Sequence, residues 1–131
     1  MVLSPPYTLE TALAPETRLD FIAADDVGAF AAAALDDTAR FHGHSIDLAA
    51  EALTMEEVAA TLSAATGRSI KARSFSEEEM LARGVSPGVV SSQVWQRLEG
   101  YQVDLAAARS WGVPLTSLEQ WAADHRNTLT G

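Results

Sequence analysis

The 131-residue sequence has no cysteine, which removes disulfide frameworks, thiolate zinc sites and thiol nucleophiles together and fits a reducing cytosol. It is also short of positive charge: nine Lys and Arg stand against 18 Asp and Glu, a formal net charge of −9. The basic residues are scattered singly. Phosphate neutralisation needs clustered cations and gains its affinity from counterion release, so we expect no nucleic-acid partner. No apolar run approaches the roughly 18 residues of a membrane span. The opening "MVLSPPYTLE" has neither the basic start nor the apolar core of a secretory leader, so the expectation is a cytoplasmic protein without a membrane partner. "GVSPGVVS" at 84–91 lacks the lysine and spacing of a phosphate loop.

What remains is ample for one hydrophobic core without metals or disulfides. Residues 1–16 carry Pro5, Pro6 and Pro15 and read as an extended N-terminal arm that orders only on docking; residues 17–131 read as a single domain. "RLDFIAA" places Leu19, Phe21 and Ala23 on one side and Ile22 on the other, a short strand covered on both faces. Asp25 or Asp26 then caps a helix over 26–35, which has almost no polar side chain between Val27 and Leu35 and is expected to be largely buried. "DDTARFHGH" reads as a loop and "SIDLA" as a second strand.

Thr54 and Glu57 form a capping box before a helix that ends at Gly67. "SIKARSF" is a third strand. Ser76 and Glu79 repeat the capping signature, Ser86-Pro87 opens a helix running to about Gly100, and Asp104 caps "LAAARSW", which Gly112 stops. Thr116 with Glu119 makes a third capping box before a terminal helix at 117–127. The pattern predicts a helix-rich α/β fold: a small sheet of about three short parallel strands with crossover helices, followed by about four helices.

Few residues offer chemistry. The Asp25-Asp26 pair lies at the carboxyl end of a strand, where α/β proteins place ligands, but capping with dipole compensation explains it more simply. His42 and His44, with Asp47 nearby, supply only part of a metal site and read as a surface loop, so no metal is expected. Glu77, Glu78 and Glu79 read as a solvated first turn, and His125 as a partner of the last helix's dipole. Trp95, Tyr101, Trp111 and Trp121 fill the helical half; Trp95 and Tyr101 flank a helix end and are the candidate substrate-binding residues. Asp26, His44 and Glu99 are the candidate catalytic acids or bases.

Three stretches, "LDFIAADDVGAFAAAAL", "FHGHSIDLAAEALTMEEVAATLSAATGRSIKARSF" and "GYQVDLAAARSWGVPLTSLEQWA", resemble in their order and spacing the C-terminal portion of the NmrA-like branch of the atypical short-chain dehydrogenase/reductases, from about residue 17 to about residue 123. The resemblance implies the substrate side of a cleft whose N-terminal Rossmann portion holds NAD(P). The chain departs from that family in two ways. It has no G-x-x-G-x-x-G turn, and no Tyr-x-x-x-Lys pair: Thr11 follows Tyr7 at that spacing and Leu105 follows Tyr101. No cofactor is therefore expected in this chain, because NAD(P) needs the missing Rossmann portion. The leading functional expectation is a non-redox domain binding an apolar or aromatic small molecule. A cofactor-independent isomerase, cyclase or lyase on the same cleft, and a protein-interaction regulator, are the alternatives. The face that would meet the Rossmann portion is left uncovered, which implies a homodimer, with exchange of the N-terminal arm as one form of it.

Overall fold

A computed structural model describes residues 7–130; the first six residues, including Pro5 and Pro6 of the expected arm, lie outside the described residues. Local chemistry sets most helix ends. Helix α3 (Met55–Thr66) opens where the Thr54 hydroxyl accepts the Glu57 N–H at 3.2 Å and the Glu57 carboxylate accepts the Thr54 N–H at 2.8 Å. It closes on Gly67 at φ 71°, a left-handed conformation that glycine adopts without penalty. Ser76 and Glu79 repeat the reciprocal pair, with the same 2.8 and 3.2 Å distances, at the head of α4 (Glu77–Ala82). Ser86 caps α5 (Pro87–Leu98), with proline in the first turn, and Asp104 caps α6 (Leu105–Ser110).

Two helix starts differ from expectation. Helix α1 (Ala24–Asp36) begins at Ala23, which offers no side-chain cap, and neither Asp25 nor Asp26 caps it; both lie inside its first turn. Helix α7 (Leu118–Asp124) is capped by Ser117, whose hydroxyl accepts the Gln120 N–H at 3.1 Å, so the Thr116–Glu119 box does not form. A short α2 (Thr38–Phe41) occupies the expected loop, and α8 (Arg126–Thr130) follows α7 separately.

The helix-rich α/β class stands, with the strands arranged as two pairs. β1 (Thr8–Thr11) runs parallel to β4 (Lys71–Ser74), Thr8 opposite Lys71. β2 (Leu19–Phe21) runs antiparallel to β3 (Glu51–Leu53). β3 lies a few residues beyond the "SIDLA" stretch expected to form it, and β1 lies within the segment read as an arm.

The main core gathers Val58, Ala59 and Leu62 of α3 with Ile70, Ala122 and Leu129. A smaller one joins Ala12 to Met80 and Val90 of α4 and α5. Helix α1 is not the buried helix its composition suggests: only Asp26 and Phe30 are buried, while Val27 and Leu35 are exposed. Composition reports how apolar a helix is; burial also requires a partner, and among the described residues α1 packs chiefly on the short α2.

Candidate functional site

The larger cavity, about 490 Å³, lies where the two strand pairs approach α3 and α7. Leu9 of β1, Phe21 and Ile22 at the end of β2, Met55 and Leu62 of α3 and Trp121 of α7 form its apolar walls. Glu51 and Thr116 supply polar groups.

Two carboxylates hold the chain segment that enters α7. Asp26, 5% exposed, accepts the Thr116 N–H at 2.7 Å on one oxygen and the Thr116 hydroxyl at 2.8 Å on the other. Glu51 accepts the Leu118 N–H. Charge-assisted bonds of this kind are the stronger ones, and they bring the start of α1, β3 and the head of α7 to one edge of the cavity. They also explain the displaced cap: Thr116 spends its hydroxyl on Asp26, and Ser117 takes over the helix end.

A second cavity, about 390 Å³, is more polar and is bordered by Arg18, Asp20, Glu99, Tyr101 and Gln102. Trp95 and Tyr101 meet edge to face at 5.0 Å, and Tyr101 is 70% exposed. Gln102 has φ 51°, a left-handed conformation that a non-glycine residue adopts at a cost of about 1 kcal/mol. Its side-chain amide donates to the Glu99 carbonyl at 2.8 Å, and the next N–H, of Val103, donates to Asp20 at 3.0 Å. Arg18 pairs in a fork with Glu57 at 2.9 and 3.1 Å and donates to the Ala52 carbonyl at 2.6 Å. Arg18, Asp20 and Gln102 are thus engaged, whereas the Glu99 carboxylate and the Tyr101 hydroxyl have no hydrogen-bond partner among the described residues.

His44 lies elsewhere. Its ring stands edge-on to Trp111 at 5.2 Å, Phe41 stacks on the same indole at 4.7 Å, and the Arg40 guanidinium lies 5.3 and 5.4 Å from the two ring centres. His125 stacks on Trp121 at 4.5 Å, with Nδ1 2.8 Å from the Trp121 carbonyl oxygen. Among the described residues, no three metal-ligating side chains converge. The structure therefore places Asp26 beside the larger cavity, Glu99 and Tyr101 on the smaller one, with Trp95 against Tyr101, and His44 on the Trp111 cluster. It brings Glu99, Trp95 and Tyr101 together and leaves Asp26 and His44 apart from them.

Sequence reasoning did not single out Leu9, Ile22, Met55 or Glu51 as site residues. The β-branched threonines at the two ends of "TLET" are a weak strand signal, masked by the flanking prolines. The other three are recognisable only when elements distant in sequence are set side by side.

The comparisons with known proteins agree with this architecture. A family model described as the NmrA-like family matches residues 3–111. A nucleoside-diphosphate-sugar epimerase from Staphylococcus aureus superposes with a TM-score of 0.74 at 20% identity, over 92% of this chain and 45% of that one. NmrA, a negative transcriptional regulator in complex with NADP, superposes with a TM-score of 0.63 at 18% identity, over 96% of this chain and 45% of that one. At such identities the likeness is one of fold. The chain spans 45% of the length of each of these solved structures. No curated protein sequence matches it.

Proposed function

Because this chain belongs to the NmrA-like family, we propose that it forms the substrate-side portion of an NmrA-like protein and acts, by itself, as a non-redox domain that binds an apolar or aromatic small molecule. The observation that carries this reading is the open 490 Å³ cavity, apolar on most of its walls and polar at Glu10, Glu51 and the threonines. Apolar walls with a few placed polar groups are what a small-molecule site needs.

A nicotinamide dinucleotide does not fit the residues of this chain. Its pyrophosphate needs bare backbone N–H groups at a helix start approached through a glycine turn. Among the described residues, the three places where a strand leads into a helix carry carboxylates in the first turn: Asp25 and Asp26 on α1, Glu56 and Glu57 on α3, and Glu77 to Glu79 on α4. Like charge would repel the phosphates at each. NAD(P) binding then belongs to a Rossmann portion, and no hydride step is assigned to this chain. The reading with a cofactor-independent enzyme is weaker, because Asp26 is fully engaged by Thr116 and stands apart from His44 and Glu99.

Titration decides between these. The chain should bind the hydrophobic dye 1-anilinonaphthalene-8-sulfonate with quenching of Trp121 emission, an effect lost in Trp121→Phe, and should leave NADPH fluorescence unchanged. Binding of NADPH at low micromolar concentration would overturn the non-redox assignment. The exposed Val27 and Leu35 on α1 favour a homodimer as the form in solution. Light scattering at micromolar concentration should give twice the chain mass, and Leu35→Glu should lower it; a single-chain mass for the unaltered protein sinks the dimer.

A further inference from the structure

Four consecutive residues of β1, Thr8 to Thr11, border the larger cavity. Successive strand side chains point to opposite faces, so a cavity that touches all four meets the strand along its edge. The ladder identifies the backbone groups there. The Lys71 N–H donates to the Tyr7 carbonyl at 3.0 Å and the Phe75 N–H to the Thr11 carbonyl at 2.9 Å, so the odd-numbered residues of β1 face β4. In a parallel pair the alternate residues point the other way. The N–H and C=O groups of Thr8 and Glu10 are thus turned away from β4, and none has a backbone partner among the described residues. The next donor in that row, the Ala12 N–H, is taken by the Gln93 side chain at 2.7 Å, which closes the row. A second run of consecutive residues, Phe21 to Ala23, also lines the cavity.

A slot walled by an open strand edge favours an occupant with donors and acceptors at strand spacing. The groups on Thr8 and Glu10 recur about 6.8 Å apart, the repeat of any extended chain, and unpaired edges of this kind accept an added strand. Charge narrows the class. Two carboxylates, Glu10 and Glu51, line the cavity, and no Lys or Arg does. Glu10 shares its charge with Arg83 at 3.1 Å, whereas Glu51 has no ion-pair partner among the described residues and accepts only the Leu118 N–H.

On the reading of this cavity as a ligand site, we propose that its occupant is a short extended peptide with a basic side chain, pairing with Thr8 and Glu10 as an added strand and setting its cation against Glu51. The probe is a capped pentapeptide alternating valine and arginine, followed on the isotope-labelled protein by amide NMR. It should shift the Thr8 and Glu10 amide signals and slow their exchange with solvent. The same peptide N-methylated at alternate amides should bind about tenfold more weakly, as should its glutamate counterpart. Glu51→Gln keeps an acceptor for Leu118 and should remove most of the difference between the arginine and glutamate peptides.

Equal binding of the N-methylated peptide, or shifts confined to other residues, overturns the proposal. So does slow exchange at Thr8 and Glu10 without peptide in a protein of doubled mass, since a second copy would then occupy the edge. The dye titration separates this inference from the reading beneath it. Dye binding without peptide binding removes the peptide and leaves the cavity a small-molecule site; peptide binding at the edge without dye binding does the reverse.

Discussion

Helices α1 and α3 are near twins in composition and opposites in circumstance. Both are alanine-rich, with 13 and 12 residues, and both carry two acidic residues in the first turn. Helix α3 has a reciprocal cap at one end, a left-handed glycine at the other, and buries Val58, Ala59, Leu62 and Thr66. Helix α1 has no side-chain cap and leaves Val27 and Leu35 in solvent. What separates them is the availability of a neighbour: α3 packs on α7, α8 and β4, while α1 is fastened mainly through Asp26. Helical propensity is shared between them, and tertiary packing decides the rest.

The largest test of that contrast is truncation of a leucine on each. Leu62 is fully buried and Leu35 is 79% exposed. Leu62→Ala should lower the unfolding free energy by about 3 kcal/mol, as lost transfer energy and a residual cavity add, while Leu35→Ala in the monomer should change it by less than about 0.5 kcal/mol. Urea titration measures both, and equal losses would mean that α1 is covered after all.

Next in size is the fastening of α1. Asp26→Ala leaves the Thr116 N–H and hydroxyl without their acceptor and should destabilise by about 2 kcal/mol. Asp26→Asn, which keeps one acceptor oxygen, should recover part of this in thermal melts. Caps come third. Thr54→Ala should cost about 1 kcal/mol, while Ala23→Ser, which gives α1 the cap it lacks in an already extended N-cap conformation, should stabilise by less than about 1 kcal/mol.

The smallest effect concerns acid. Glu57 is held below its ordinary 4.5 chiefly by the Thr54 backbone N–H and then by Arg18; Glu79 is held low by the Ser76 backbone N–H and then its hydroxyl. Depressed carboxyls contribute stability above 4.5 that is lost as pH falls through their folded values. Thermal midpoints should therefore decline below about pH 4.5, and the decline should be shallower in the Glu57→Gln, Glu79→Gln double variant.

Features legible in the sequence were those encoded within a few residues. The Thr54–Glu57 and Ser76–Glu79 boxes, the proline after Ser86 and the stop at Gly67 lie where the pattern puts them, because their partners are three or four positions away. Residues with distant partners are read less well. Thr116 gives its hydroxyl to Asp26 instead of capping, and the apolar pattern of α1 implies a burial that fails because the helix lacks a partner. β1 pairs with a strand more than sixty residues later, and its weak local signal is outweighed by the prolines around it. For the larger cavity, the chemistry of individual residues was readable, but not their assembly.

The Asp26–Thr116 clamp joins residues 90 positions apart, and this governs when the fold can form. During synthesis the start of α1 leaves the ribosome long before the loop that satisfies its buried carboxylate exists, and β1 waits in the same way for β4. Loop-closure entropy must be met before either contact contributes. The two walls of the cavity therefore come together only after Thr116 has been made, and until β4 appears both edges of β1 are open to whatever extended chain is nearby.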